Sequence, residues 1–342
     1  MHSLPCERVE EVLTNCVHHC CRIVSHCPLP TMSLLAHTYL ARRLATHARA
    51  LSTTAVRRDA GFSPSTYTAV EELSTNRIQE RLSRSILGEF PIEEQKARIE
   101  LAACYRLFNH FGWNDDVINH LTVSVMEPDG TKSFLINPYG LRYDEITASS
   151  LLKIDSRGEL RHPGVVGDIF KVNRAGFVIH SAIHNSGHKS AKAVLHCHHP
   201  VVTGLASTQE GYLPSLSQTS SIVGPPGYHD FEGIVVDEKE QETIVRNLGD
   251  RNVLLLRNHG VITTGATIGG AWYRMYMLVR SAELQATAQA SAQAGGGLYM
   301  PDPAAAHRAF ETAQTFTGRA LGNMEFSAYM RLMDKVDASY RR

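Results

Sequence analysis

No stretch of this 342-residue chain approaches the roughly 20 consecutive apolar residues that a membrane-spanning helix needs. An excess of either charge is also missing, since 34 Lys and Arg stand against 34 Asp and Glu. Nothing global therefore attracts nucleic acid or an anionic membrane. The chain has no Gly-rich phosphate loop, no dinucleotide fingerprint and no internal repeat. Cysteine is almost absent from the body, where only Cys104 and Cys197 follow residue 27. That excludes a disulfide scaffold and points to a reducing compartment. The five earlier cysteines, Cys6, Cys16, Cys20, Cys21 and Cys27, lie near His18 and His19, but their spacing matches no C-x2-C zinc pair.

Acids are missing from one segment altogether. Between Met32 and Arg58 there are five arginines (42, 43, 49, 57 and 58) and no Asp or Glu. Leu40, Leu44, Ala48 and Leu51 recur at helical spacing, with Arg42, Arg43 and Arg49 off that stripe. An Arg-rich, amphipathic, acid-free stretch has the composition of a mitochondrial transit peptide. Arg49-Ala-Leu-Ser52 also resembles a matrix-processing site. The alternative is an exposed amphipathic helix of the folded protein. The composition favours targeting, so the mitochondrial matrix is the expected location and the cytoplasm otherwise. Met32 then reads as a second start, and residues 1–31 as a Cys-rich leader outside the fold.

Residues 59–91 are polar and read as a linker or a loosely attached first helix. The segment from Pro91 to Trp113 predicts an amphipathic helix: Pro91 suits its first turn, Glu93 and Glu94 its positive end, and Ile99, Ala103, Leu107 and Phe111 form a stripe. Beyond it, short apolar segments alternate with helical ones. NHLTVSVM, SFLINP and ASSLLKID predict strands, and GFVIHSAIHNSG a helix. AKAVLHCH predicts a buried strand, HPVVTGLAS a helix and NVLLLRNHG a buried strand with a turn. A long helix then ends at the triple glycine 295–297. Such alternation predicts a layered α/β domain over about residues 92–290. Residues 291–342 read as a helical appendage.

The segment AVLHCHHPVV (193–202) carries the chemistry. His196 and His198 stand two apart at a strand end, so their rings project to one side and can reach one metal ion. Cys197 should point the opposite way, into the core. His199 should lie at the cap of the next helix, with Pro200 in its first turn. A second buried strand ends in His259-Gly260. Three neutral imidazoles and an open position make a catalytic divalent site. They suit zinc best, and also manganese, iron or cobalt. Strand-end histidines satisfied by backbone or water are the alternative.

AVLHCHHPVVTGLAS and VLLLRNHGVITTG resemble the metal-binding segments of the class II aldolase/adducin family. NHLTVSV, FLINPYGLRYDEITASSLLKID, GFVIHSAIH and YHDFEGIVVDEKE resemble its adducin-like branch. The resemblance runs in order over about residues 92–290. It implies a three-layer α/β/α domain with a central, mainly antiparallel sheet, usually a homotetramer, holding a divalent ion on His196, His198 and His259. The sugar-phosphate aldolases of the family open a helix with Ser-Ser-Glu, whose glutamate is the acid/base. Counted back from His184, those positions are Val178, Ile179 and His180. Their phosphate-contacting Gly-Asn pair corresponds to Asn119 and His120. These changes remove donors that a phosphate dianion needs, so the expected substrate is a small, non-phosphorylated hydroxy or keto compound. Asn119, His120, Gly140 and His229 are the candidates for substrate contact, and Asp230 for orienting a histidine.

His180 has two readings: a proton-moving group or fourth ligand, or a residue that only hydrogen-bonds inside the pocket. The chain has two readings as well. One is a metal-dependent lyase that cleaves a C–C bond, by retro-aldol reaction or decarboxylation, through a metal-stabilised enediolate. The other is a non-catalytic adducin-like interaction protein with a residual metal site. Adducins act on the cytoskeleton through a lysine-rich tail. No lysine run follows residue 290 here, so a cytoskeletal role is not the expectation.

Overall fold

Alternating side chains decide how the central strands face. In His120–Met126, residues 121, 123 and 125 are apolar and turn to one side, while His120 and Thr122 turn to the other. The computed structural model describes residues 74–233, 238–317 and 321–342. The leader (1–31) and the targeting stretch (32–58) lie outside the described residues. Numbered along these residues, the order begins with helix α1 (Thr75–Leu82), α2 (Ile92–His110) and strands β1 (His120–Met126), β2 (Lys132–Ile136), β3 (Leu152–Asp155) and β4 (Leu160–His162). Helix α3 (Arg174–Asn185), β5 (Ala193–Cys197), α4 (Pro200–Ala206), α5 (Gln218–Val223), β6 (Gly227–His229) and α6 (Glu238–Leu248) follow. The last are β7 (Val253–Leu256), β8 (Gly260–Gly265), α7 (Ile268–Gln293), α8 (Pro303–Thr317) and α9 (Asn323–Asp337).

The eight strands form one sheet in the order β4-β3-β2-β1-β5-β8-β7-β6. Every neighbouring pair is antiparallel except β6 and β7. One face buries Leu121, Val123, Leu195, Cys197, Leu255 and Val261 with residues of α2, α4 and α7. The opposite face buries Val194, Leu254, Leu256 and Ile262 against Ile179 and Ile183 of α3 and Ile244 and Leu248 of α6. The domain is thus three-layered, α/β/α. Helix α2 is buried more widely than one stripe: Leu101, Cys104, Tyr105 and Phe108 are inaccessible, while Ile99 and Phe111 are half-buried.

Strand β8 was not expected from the sequence. Its run Val261-Ile-Thr-Thr is short and bracketed by Gly260 and Gly265, which locally reads as a turn. Pairing with β5 on one side and β7 on the other supplies the ladder that makes it a central strand. Helix α9 and the residues after it join the same core. Phe326 and Tyr329 of α9 pack their rings 5.7 and 4.8 Å from that of Trp272 in α7. Tyr340 is fully buried, and its carbonyl accepts from the Ala148 amide at 2.8 Å.

Candidate metal centre and its histidine chain

Strand β5 runs beside β1 with His196 directly opposite His120. Opposed residues of antiparallel strands project from the same face, so both rings lie on the α3 side of the sheet, stacked 5.0 Å apart at 29°. Cys197 turns to the other face and lies 3.8 Å from the Met275 sulfur; burial pushes its thiol up to about 12. His198 points back to the His196 side, just past the strand end. His199 is the N-cap of α4 and Pro200 its first residue. His259 arrives through the β7–β8 turn, where Asn258 adopts a left-handed backbone (φ 59°), a conformation that asparagine tolerates better than most residues. Gly260 follows because a Cβ there would lie 2.6 Å from the Cys197 carbonyl and 2.9 Å from the His198 ring.

These elements bring His196, His198 and His259 together, with one ring nitrogen of each within 4.8 Å of the others. Hydrogen bonds at the far ring positions identify which nitrogens are free. Nδ1 of His196 donates to the Val261 carbonyl at 3.0 Å, and Nδ1 of His198 donates to Asp115 Oδ2 at 2.9 Å. In neutral imidazoles the remaining Nε2 atoms are then both bare lone pairs. They face each other at 3.0 Å. Two acceptors at that distance repel unless a cation lies between them. Two nitrogens on one tetrahedral zinc, each at about 2.0–2.1 Å, stand about 3.3 Å apart. The donor set therefore fits a divalent ion. Burial pushes His259 down to about 4 and holds His196 well below its ordinary value, so both rings are uncharged at neutral pH.

Behind this cluster the α3 face of the sheet holds a buried chain that the sequence reading missed. Nδ1 of His120 lies 2.7 Å from Nε2 of His180, whose Nδ1 lies 2.6 Å from the Thr122 hydroxyl. That hydroxyl is 2.7 Å from Nε2 of His184, and His184 Nδ1 is 2.5 Å from the Ala191 carbonyl. His120 and Thr122 are two apart on β1, and His180 and His184 four apart on α3, so each pair shares a face. Burial pushes His120 down to about 3 and His184 to about 4, and holds His180 well below 6.5. The i, i+2 and i, i+4 spacings were the available signal, but only packing pairs the two elements.

Helix α3 is capped by Asn173, whose side chain accepts from the Gly176 amide. Val178, Ile179 and His180 thus lie in its second turn, not at its opening. The first-turn residue against His120 is Gly176, where a Cβ would lie 2.1 Å from the imidazole. His180 is fully buried, both its nitrogens are engaged, and it reaches the cluster only through His120. Asn119 is buried with both amide atoms unpartnered. His229 is buried beside Asn247 and lines a small cleft with His259 and Arg257. Gly140 is exposed and sits against Phe170, with no described contact to the cluster. Asp230 pairs with Arg257 at 3.4 Å rather than with a histidine. The carboxylate that holds a histidine of the cluster is Asp115.

Residues 99–286 match the family described as Class II Aldolase and Adducin N-terminal domain. The chain belongs to that family. An adducin-related protein of Schizosaccharomyces pombe is 47% identical over 281 residues, 81% of this chain and 86% of that protein. Alpha-adducin of Rattus norvegicus is 36% identical over 252 residues, which is 71% of this chain but 34% of alpha-adducin. The L-fuculose 1-phosphate aldolase from Glaciozyma antarctica PI12 has the same fold, with a TM-score of 0.62 at 25% identity, covering 76% of this chain and 98% of that one.

Proposed function

We propose that this protein is a divalent-metal-dependent lyase acting on a C–C bond of a small, non-phosphorylated hydroxy or keto compound. The observation that carries the reading is the facing pair of lone pairs on His196 and His198, completed by His259. Zinc is the first choice for three imidazoles. When bound, such an ion supplies a Lewis acid that draws charge from a substrate oxygen. The chain's own groups do the rest. The Val261 carbonyl and Asp115 hold two rings with Nε2 outward, and His120, paired through Nδ1 with the buried His180, is the neighbouring uncharged group able to hydrogen-bond a substrate. Asn119 is uncharged and burial keeps His120 neutral, so the pair offers a phosphate dianion no charged donor. Family membership and the aldolase likeness support lyase chemistry; the adducin likeness supports a second reading, a non-catalytic interaction protein with a residual site. No helix among the described residues is long and apolar enough to cross a membrane. A homotetramer and mitochondrial targeting complete the proposal.

Metal content per chain, by elemental analysis of the parent and its His198→Ala variant, tests the site. Near-stoichiometric metal that is lost in the variant is expected, followed by C–C cleavage in a screen of hydroxy-keto acids. A parent that stays metal-free after refolding with zinc or manganese overturns the enzyme reading. Stoichiometric metal without turnover across the screen favours the interaction protein.

A further inference from the structure

We infer that the chain Ala191 carbonyl–His184–Thr122–His180–His120 runs in one direction only, and holds Nε2 of His120 as a bare hydrogen-bond acceptor for a substrate hydroxyl beside the metal cluster. The substrate part of this inference rests on the lyase reading above. The direction rests on hydrogen-bond chemistry alone.

A carbonyl can only accept, so Nδ1 of His184 carries a proton and donates to Ala191. In the neutral ring Nε2 of His184 is then bare and must accept from the Thr122 hydroxyl. Threonine has one hydroxyl proton, now used, so Thr122 accepts from Nδ1 of His180. That leaves Nε2 of His180 bare, accepting from Nδ1 of His120. The last nitrogen, Nε2 of His120, therefore has no proton. The Val194 carbonyl offers Thr122 a longer alternative at 3.4 Å. Using it would require both histidines to donate to Thr122, and His184 would then be a buried imidazolium.

Four residues on two elements thus transmit one backbone carbonyl's polarity to the edge of the site. His120 is stacked on the ligand His196, and Gly176 leaves room for its ring. A bare imidazole nitrogen accepts from an O–H and repels an oxyanion. This corner consequently takes the hydroxyl of a neutral hydroxy-carbonyl compound, and His120 rather than His180 touches it. Thr122 is a positioning residue, since it acts only by setting the tautomers.

Neutron diffraction from deuterated crystals of the full chain locates these protons directly, with or without zinc. The expected result is deuterium on Nδ1 of His120, His180 and His184 and none on Nε2 of His120, in the parent and in Thr122→Ser. In Thr122→Val, His180 loses its acceptor, and deuterium is expected on Nε2 of both His180 and His120. Deuterium on Nε2 of His120 in the parent overturns the inference even if the valine variant fails to fold, and so does an unchanged pattern in that variant. A second measurement reads the ligand class. Dihydroxyacetone should slow zinc removal by a chelator several-fold in the parent and Thr122→Ser, while inorganic phosphate should not. Equal or better protection by phosphate, or none by dihydroxyacetone, overturns the hydroxyl assignment. Because the proton positions are read without zinc, failure of the metal site is distinguishable from failure of the chain.

Discussion

Asp115 Oδ2 accepts from Nδ1 of His198 at 2.9 Å, across 83 residues of sequence. The carboxylate keeps the His198 proton on Nδ1 and aims Nε2 at the cluster. A partner of this kind raises ligand basicity and fixes ring orientation, and its loss costs about 10- to 100-fold in metal affinity.

Asp115→Ala is therefore expected to weaken zinc binding by that factor, with a smaller loss in Asp115→Asn, whose amide oxygen still accepts. Competition with a chromophoric chelator measures it. The Asp115 side chain is half exposed, so the melting temperature of metal-free protein should scarcely move. Unchanged zinc affinity in the alanine variant removes Asp115 from the site.

Gly260, the first residue of β8, lies against the end of β5. The missing Cβ would fall 2.6 Å from the Cys197 carbonyl and 2.9 Å from the His198 ring. Gly260→Ala is expected to destabilise the domain by about 1–3 kcal/mol, as overpacking does, and to lower metal content by displacing the ligands. Urea unfolding and elemental analysis read the two effects separately. A variant as stable and as metal-rich as the parent contradicts the packing described.

The buried His184 gives stability a pH dependence of definite sign. Its folded-state pKa is pushed down from 6.5 to about 4, chiefly by burial, with Lys132 opposing charge further and the Ala191 carbonyl acting the other way. The unfolded chain therefore binds a proton below about 6.5 that the folded chain refuses until about 4. Stability is full above that window and falls as pH drops through it, by about 3 kcal/mol at its lower end. Urea midpoints of EDTA-treated protein between pH 7.5 and 5 should show this fall, and His184→Asn should show a shallower one. Equal slopes in the two proteins exclude His184 as a source.

Much of the centre could be read from spacing. His-x-His at the end of an apolar run puts two rings on one side of a strand whatever surrounds it, and Pro200 after His199 announces the next helix. The α/β layering followed equally from alternating short apolar and helical segments. The helix-opening position was not legible. His180 is a conspicuous histidine one turn inside α3, whereas the residue against His120 is a glycine and leaves no chemical signal.

What the chain determined by itself is local: strand polarity, cap positions, and a sequence with no net charge and no apolar run long enough to span a membrane. Tertiary structure decided which distant groups meet. Asp115 found His198, Thr122 came between His180 and His184, and β8 became a strand between β5 and β7. Each required packing of elements whose contacts are separated by tens of residues. A one-dimensional pattern shows the face a side chain occupies but not what is brought against it. The direction of the histidine chain is likewise set by one backbone carbonyl, Ala191, a group that every residue possesses and no sequence can single out.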